Sequence, residues 1–259
     1  MDWKVFLEQA PSGGMTYLGW LMSGVLWTML VSVFAWIIAF TLGSVVGVVR
    51  TTPLKIPRFI ATCYVEVFRN IPLLVQMFLW YFVMPELLPE EMGNWLKQEY
   101  PNWLAQPFKD YAGGQFSLFE FTAAVLCLGT YTASRVAEQV RAGIESLPKG
   151  QSNAGLAMGF TLPQVYRFVL LPMAYRLIIP PMTSEFLTIF KNSSTALTIG
   201  VLELTAQSRQ ISEYTFKTFE AFTAATVIYI IITLTVIFIM RLLEKKVAIP
   251  GYISQAGGH

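Results

Sequence analysis

Arg135 and Glu138 are the clearest candidates for binding chemistry, because they lie three residues apart in a long apolar segment. On a helix this spacing places both side chains on one face, so they could form an ion pair within the helix. Ionisable groups at membrane depth are costly, however, and usually mark a transport pathway. A guanidinium binds a carboxylate through two parallel hydrogen bonds. The pair therefore indicates either a structural ion pair or a binding site for a solute that carries a carboxylate.

Three further polar positions lie within or beside apolar segments. Arg69 and Glu66 could pair with each other, Arg69 could anchor a helix kink near Pro72, or either could contact a solute. Ser193 belongs to a polar run. Helix capping and solvation explain this run as well as contact with a solute would. Glu185 has no obvious cation near it in the sequence, which predicts a partner across a helix bundle.

The sequence carries no residue set that is typical of an enzyme or of a metal site. Its single histidine is His259, the last residue, which excludes a histidine metal site or a histidine-assisted nucleophile within the chain. Cys63 and Cys127 both lie in apolar segments, where small buried residues are expected rather than a disulfide or a metal site. Neither a G-x-x-x-x-G-K-[ST] loop nor a G-x-G-x-x-G run occurs. We expect no catalytic residue, metal or cofactor in this chain, so a nucleotide would have to bind to another chain.

The elements that position these residues are predicted to be membrane helices. The chain is 54% hydrophobic and 13% charged, against about 25% charged in soluble domains, and its mean hydropathy is +0.53. About twenty apolar residues span a bilayer as a helix. Gly43 and Gly47 form a pair of small residues that predicts a close helix contact. We expect an all-α integral membrane protein with one domain, residues 1–259, and five spans, at about 17–49, 59–84, 116–140, 165–190 and 221–240.

The distribution of basic residues predicts the orientation in the membrane. The loops after spans one and three and the C-terminal segment carry three, four and three Lys or Arg residues. Residues 85–115 are net acidic, the N-terminus is nearly neutral, and residues 191–217 are ambiguous. By the positive-inside rule the N-terminus lies outside and the C-terminus inside. The first residues lack a basic region with a cleavage site, so no removable signal peptide is predicted.

Residues 146–172 form a short amphipathic segment between two predicted spans, on the cytoplasmic side. A helix of two turns is predicted for 151–158, and Gly159 follows it where a left-handed residue often ends a helix. Thr161 and Gln164 have the spacing of a capping box that starts a second helix. This helix–break–helix segment protrudes from the membrane domain and predicts a docking surface for a partner protein.

This run, GQSNAGLAMGFTLPQVYRFVLLP, resembles the EAA loop of ABC importer permeases, in which a cytoplasmic coupling helix docks into a cleft on the ATPase subunit. Asn153-Ala154-Gly155 stands in the place of E-A-A, and Gly159 matches the glycine of the family pattern. The asparagine departs from the family's acidic residue. Within the loop 146–164, the resemblance implies that the ATPase contacts are Gln151, Asn153, Ala154, Gly155, Ala157 and Gly159.

The resemblance extends over nearly the whole chain. It includes YVEVFRNIPLLVQMFLWYFVMPELLPE, EQVRAGIESLPKGQ and RLIIPPMTSEFLTIFKNSS, which resemble the polar-amino-acid branch of these permeases. FRNIP in place of the common FRGTP, and the run CLGTYTASRVAEQVRAGIESLP, favour the bacterial glutamate/aspartate importers. The resemblance implies a type I importer permease in the bacterial cytoplasmic membrane. Its implied partners are a second related permease, two ATPase subunits that bind ATP and magnesium, and an external substrate-binding protein.

The same resemblance suggests roles for the charged pair. Members of the branch typically carry an aromatic residue where Arg135 stands and a glutamate where Glu138 stands. This implies that Glu138 receives the α-ammonium group of the substrate and Arg135 the side-chain carboxylate, with Arg69 and Ser193 as further candidate contacts. The implied function is ATP-driven import of glutamate and aspartate by alternating access. Import of glutamine, histidine or arginine, and a secondary transporter or channel that needs no ATP, remain the alternatives.

Overall fold

The computed structural model describes residues 1–11, 14–98 and 117–247. Regular structure in these ranges is helical, apart from one isolated bridge between Gln9 and Thr16, which confirms the predicted all-α class. The α-helices are α1 (Tyr17–Thr51), α2 (Lys55–Asn70), α3 (Leu73–Phe78), α4 (Glu90–Gln98), α5 (Leu118–Glu145), α6 (Lys149–Ala157), α7 (Leu162–Val165), α8 (Leu171–Asn192), α9 (Leu204–Thr215) and α10 (Thr218–Val247). Shorter 3₁₀ turns span Trp3–Leu7, Met84–Leu87 and Ser193–Ile199, and π-helical turns span Leu79–Val83 and Tyr166–Leu170.

Two helices, α1 and α10, are individually long and apolar enough to cross a membrane. A third span is obtained if Lys55–Asn70 and Leu73–Leu87 are taken together. The predicted second span, 59–84, is therefore interrupted, and the break lies at Ile71 and Pro72. Proline has no N–H to donate, and it disfavours helical geometry at the residue before it. Five spans remain the prediction; the start of the third, at 116, and most of the acidic segment 85–115 lie outside the described residues.

The last part of the predicted fourth span is a helix that contains prolines. Pro180 and Pro181 lie inside α8, and Pro172 is the second residue of α8, which begins where the π-helical turn Tyr166–Leu170 ends. Such π-turns occur where the ordinary ladder of helical hydrogen bonds is interrupted, which a proline does by removing a donor. The prolines that were expected to kink this span thus lie within one nearly continuous helical segment, and the kinks themselves remain a prediction.

The chain divides into two compact units. The first unit consists of Met1–Ile38, Ile71–Tyr131 and Thr188–Thr233. Its apolar core joins the N-terminal segment to parts of α1, α9 and α10. The Thr28 hydroxyl accepts a hydrogen bond from the Leu204 backbone N–H, at 3.1 Å. The fully or almost fully buried core side chains include Val5, Leu21, Leu204, Ile211 and Ala221.

The N-terminal segment is fastened to the start of α10. The Asp2 backbone N–H donates to the Glu220 carboxylate at 2.8 Å, and the Lys217 ammonium lies 2.5 Å from the Asp2 carboxylate. This hydrogen bond from Lys217 lowers the pKa of the Asp2 carboxyl below its ordinary value. Both groups lie outside the membrane helices, where water screens their attraction.

The second unit consists of Ala39–Asn70, Thr132–Leu187 and Leu234–His259, of which the residues up to 247 are described. The end of α1 packs closely on α5 within it. A Cβ atom at Gly43 would lie 2.7 Å from the Ala133 carbonyl oxygen, and one at Gly47 would lie 2.7 Å from the Ala137 carbonyl oxygen. The close helix contact predicted from the two glycines is confirmed. It places the polar residues of α5 beside the last turns of α1.

Candidate functional site

The Glu138 carboxylate in the second unit is surrounded by arginines from three helices. Arg50, in the last turn of α1, donates to Glu138 with an Nη1–Oε2 distance of 2.5 Å. Arg141, one turn further along α5, donates to the other carboxylate oxygen. Arg69 of α2 lies 3.7 Å from Oε2. Glu138 therefore ties α1 and α2 to α5 through charge-assisted hydrogen bonds and ion pairs, which are stronger than neutral ones.

Arg135 forms an ion pair with Glu185 of α8. Its Nε atom lies 2.6 Å from Glu185 Oε2, and its Nη2 atom lies 3.1 Å from Oε1. This is the two-pronged geometry that guanidinium and carboxylate groups favour. The predicted partner of Glu185 across the bundle is thus identified. The Arg135 side chain is 40% exposed and that of Glu185 only 7%, so the guanidinium remains accessible while its counter-charge is buried.

Arg69 and Ser193 are the other two predicted contacts with substrate. The Arg69 side chain is 44% exposed and approaches Glu138. Glu66 instead accepts hydrogen bonds from the Asn70 amide, through its backbone carbonyl and its carboxylate. Ser193 belongs to the first unit and is fully buried. Its hydroxyl donates to the Phe190 carbonyl oxygen at 2.8 Å, which satisfies it locally.

Arg50 is a partner of Glu138 that the sequence did not reveal. The basic loop after the first span was expected to begin with it, yet it lies inside α1 and is only 8% exposed. Its partner is 88 residues away in the sequence, so no local pattern reveals the pair. One signal was present, since Arg50 is the first charged residue after a long uncharged run and precedes the first helix break.

Glu203, in the first unit, is a second residue whose role the sequence did not show. It is fully buried and caps α9 by accepting from the backbone N–H groups of Thr205 and Ala206, at 2.9 and 2.8 Å. The Tyr229 hydroxyl donates to it from α10 at 2.8 Å. A buried carboxylate with several donors fixes the start of a helix. Glu203 therefore attaches α9 to α10.

A cavity of about 390 Å³ lies beside α9 in the first unit. Charged groups of both signs surround it, and one of them, Glu120, is within 3.4 Å of the Tyr81 hydroxyl. Arg209 and Glu213 pair with each other one turn apart on α9. The lining consists of Glu120, Leu197, Gly200, Leu202, Ala206, Arg209, Gln210 and Glu213.

The segment after α5 folds as predicted. The short helix α6 covers Lys149–Ala157, slightly earlier than the predicted 151–158. Gly159 has φ of +89°. The Phe160 N–H donates to the Gly155 carbonyl at 3.1 Å and the Gly159 N–H to the Leu156 carbonyl at 3.0 Å, which is the hydrogen-bond pattern of a Schellman motif. The predicted capping box of Thr161 and Gln164 is also present, so the helix–break–helix segment is confirmed.

One face of α6 is buried and the other is open. Gly155 is buried against α7, where a Cβ atom would lie 3.0 Å from Val165 Cγ2. Gln151 is half-buried. The remaining predicted coupling residues are exposed together with apolar neighbours, namely Asn153, Ala154, Leu156, Ala157, Met158 and Gly159. Small and apolar residues that are exposed together on a compact turn form a surface on which another protein can dock closely.

Potential metal-ligating groups and thiols are also present in the described residues. In the part of the chain that the structure describes, no group of three or more His, Cys, Asp or Glu residues could hold a metal ion. Cys127 is buried and Cys63 exposed, and both are free thiols.

Known proteins resemble this chain over nearly its full length. The family described as binding-protein-dependent transport system inner membrane component matches residues 39–249. The glutamate/aspartate import permease protein GltJ of Escherichia coli is 51% identical over 250 residues, which cover 96% of each chain. The glutamine transport system permease protein GlnP of Escherichia coli is 31% identical over 96% of this chain and 98% of its own.

Solved structures resemble it as well. The crystal structure of an amino acid ABC transporter with histidines superposes with a TM-score of 0.70 and 28% identity, covering 89% of this chain and 95% of that one. An inward-facing structure of the MetNI methionine ABC transporter has a TM-score of 0.65 at 21% identity, covering 89% and 97%. The second likeness concerns the fold alone.

Proposed function

Because this chain belongs to the family of binding-protein-dependent transport system inner membrane components, we propose that it is the permease subunit of an ATP-driven importer of glutamate and aspartate. One observation carries the substrate assignment. It is the 51% identity, over 96% of both chains, with a permease whose name states glutamate/aspartate import. The glutamine permeases of Escherichia coli and Bacillus subtilis are 31% and 33% identical, which makes glutamine the second candidate.

The permease itself performs no hydrolysis in this proposal. Two ATPase subunits bind ATP and magnesium and dock on the exposed face of α6. A second, related permease completes the membrane pore, and an external binding protein delivers the amino acid. When ATP closes the ATPase pair, the coupling helices are drawn together and the pore turns from inward-facing to outward-facing. The compact turn that ends at Gly159 supports this role, because a firmly capped segment transmits force better than a loose loop.

The proposed orientation has the N-terminus outside and the C-terminus inside a multi-pass bacterial inner membrane protein. Three positions in the structure support it. Arg50 lies in the last turn of α1, Lys245 and Lys246 lie in the last turn of α10, and Lys149 opens α6. Under the positive-inside rule these helix ends share the cytoplasmic side.

Arg135 is the residue that we propose for the side-chain carboxylate of the substrate. Its guanidinium is accessible, and the buried Glu185 keeps it fixed by two hydrogen bonds. A guanidinium carries five N–H donors, and the 40% exposure of this side chain lets a substrate carboxylate reach it. An acidic substrate would thus bind to an arginine that is already oriented.

Glu138 is proposed to receive the α-ammonium group. In the structure its charge is balanced by Arg50 and Arg141, so a substrate ammonium would take the place of the more distant Arg69. Arg69 would then be free to contact the α-carboxylate. Ser193 in the first unit is a separate candidate, and replacing it by alanine tests it independently.

Uptake of radiolabelled glutamate by cells tests the transport mechanism. The permease pair is expressed with its binding protein, either with or without the ATPase gene. The proposal predicts uptake only when the ATPase is present and able to hydrolyse ATP. Equal uptake without the ATPase would instead show a secondary transporter or channel.

A further inference from the structure

A second cavity, of about 410 Å³, opens in the second unit where α1, α2, α5 and α6 meet. It has no role in the substrate pathway proposed above. Its walls combine basic, hydroxyl and apolar side chains, namely Thr51, Arg58, Ile144, Glu145, Leu147, Pro148, Lys149, Ser152, Tyr166 and Leu170.

The charge of this cavity is positive. Arg58 and Lys149 line it from α2 and α6, and neither forms an ion pair within the described residues. The one acidic side chain in its wall, Glu145, is bound by Arg141 of its own helix. Two cations therefore remain uncompensated, which favours an anionic ligand.

Two of the hydroxyl groups in the cavity wall are held in place by contact with each other. The Tyr166 hydroxyl donates to the Thr51 carbonyl oxygen at 2.9 Å and lies 3.1 Å from the Thr51 hydroxyl. Ser152 adds a third hydroxyl from α6. The Thr51 hydroxyl donates in turn to the Val48 carbonyl oxygen at 2.8 Å, so of the three hydroxyls Ser152 is the one left to donate to a ligand. A phosphate group is bound well by two cations together with a hydroxyl donor, because its oxygens accept several hydrogen bonds at once.

The apolar side chains near the cavity favour a phospholipid headgroup over free phosphate as the source of the phosphate group. On either side of Arg58, the α2 side chains Ile56, Phe59 and Ile60 are 75%, 69% and 63% exposed. A helix with one strongly apolar, exposed face and basic residues at its start is typical of a helix at the membrane interface. The chain spans a membrane, so acyl chains are the medium that would cover these side chains.

We propose that this cavity binds the phosphate of an anionic phospholipid headgroup, with Arg58 and Lys149 as its charged contacts and the acyl chains along Ile56, Phe59 and Ile60. Basic pockets between membrane helices on the cytoplasmic side are suited to such headgroups. The bound lipid would connect α2 to the first residue of α6. Free phosphate shares the headgroup chemistry but gains nothing from the apolar face of α2.

Lipid retention by the assembled transporter tests the proposal. The complex is purified in detergent, incubated with phosphatidylglycerol or with zwitterionic phosphatidylcholine, and examined by native mass spectrometry. The wild type is expected to retain phosphatidylglycerol in preference to phosphatidylcholine. The double variant Arg58→Gln/Lys149→Gln is expected to bind phosphatidylglycerol roughly thirtyfold more weakly, which corresponds to about 2 kcal/mol for two basic residues.

A control variant removes the same number of basic residues from outside the cavity. Lys245→Gln/Lys246→Gln removes two basic residues from the end of α10 that do not line the cavity, and should leave retention unchanged. Each single variant should bind phosphatidylglycerol roughly fivefold more weakly than the wild type. The single variants take the place of the double variant if the double variant does not assemble. Unchanged retention by the cavity variants, or an equal loss in the α10 variant, would overturn the site. Displacement of the lipid by inorganic phosphate would overturn the lipid as its occupant.

Discussion

The Arg50 guanidinium lies 2.5 Å from the Glu138 carboxylate, and this contact connects the last turn of α1 to α5 about two turns before α5 ends at Glu145. Arg50 is 8% exposed, so its charge depends on Glu138 for compensation. The close packing of Gly43 and Gly47 on α5 brings the two side chains together. The ion pair of the buried Arg50 thus depends on a helix contact that only glycine at positions 43 and 47 permits.

Replacing Glu138 by glutamine should destabilise the protein. Removing one member of a fully buried ion pair costs about 3–5 kcal/mol, and we expect about 2 kcal/mol here because the Glu138 side chain is 24% exposed. Thermal melting of the purified protein without substrate measures this loss. Glu145→Gln is the control, since Glu145 also binds Arg141 but is 47% exposed. It should change stability by less than about 1 kcal/mol; equal effects of the two variants would contradict a structural role for Glu138.

Replacing Arg135 by alanine or tyrosine should reduce uptake of glutamate and aspartate. A hydrogen bond to a charged group contributes about 1.5–3 kcal/mol, so transport at low substrate concentration should fall roughly tenfold or more. Arg135→Lys keeps the charge but not the two-pronged geometry, and should retain partial activity. Uptake of both acidic amino acids at the wild-type level, in variants that are expressed normally, would exclude Arg135 from the binding site.

Replacing Gly159 should disturb coupling through the backbone. Its φ of +89° is unfavourable for any residue with a Cβ atom, at a cost of about 1–2 kcal/mol. Gly159→Asp is expected to leave ATP hydrolysis running while transport falls, since it distorts the docking surface and adds a charge. The ratio of ATP hydrolysed to amino acid transported measures this.

Gly150 provides the matched control for that experiment. As at Gly159, a Cβ atom at Gly150 would meet nothing within 4 Å, but its φ is not positive. Gly150→Ala should therefore preserve coupling, whereas Gly159→Ala should weaken it. Full transport by Gly159→Asp would refute the coupling role of this turn.

Replacing Gly43 by alanine should separate α1 from α5. The added methyl would lie 2.7 Å from the Ala133 carbonyl oxygen, and overpacking of this kind costs about 1–3 kcal/mol. Gly19→Ala is the control in the same helix, because its nearest neighbour would be at an ordinary 3.4 Å. Thermal melting should show a loss only for Gly43→Ala, and identical melting of both variants would contradict the close contact.

Features whose determinants lie within a few residues were predictable from the sequence. The left-handed Gly159, the capping box of Thr161 and the close approach at Gly43 all follow from local residue types, and the structure contains each of them. Pro72 was expected to mark a kink, but the full break between α2 and α3 was not foreseen. Ile71 and Pro72 lead directly into further apolar residues, so hydropathy does not show that the helix ends there.

Long-range pairing could not be predicted. The sequence indicated that Glu185 needs a cation across the bundle, but not that the cation is Arg135, 50 residues away. It placed Glu138 beside Arg135 because helical spacing favours that pair, whereas the structure supplies Arg50 and Arg69 from other helices. Charge partners in a helix bundle depend on which helices pack together, and this information is not contained in any local window.

The substrate range of the reconstituted transporter shows whether it imports acidic amino acids with energy from ATP. Proteoliposomes that contain the permease pair and its ATPase are supplied with ATP, the binding protein and a panel of radiolabelled amino acids. We expect ATP-dependent uptake of glutamate and aspartate, each inhibiting the other, and little uptake of glutamine, histidine or arginine. Preferred uptake of glutamine or of a basic amino acid would contradict it.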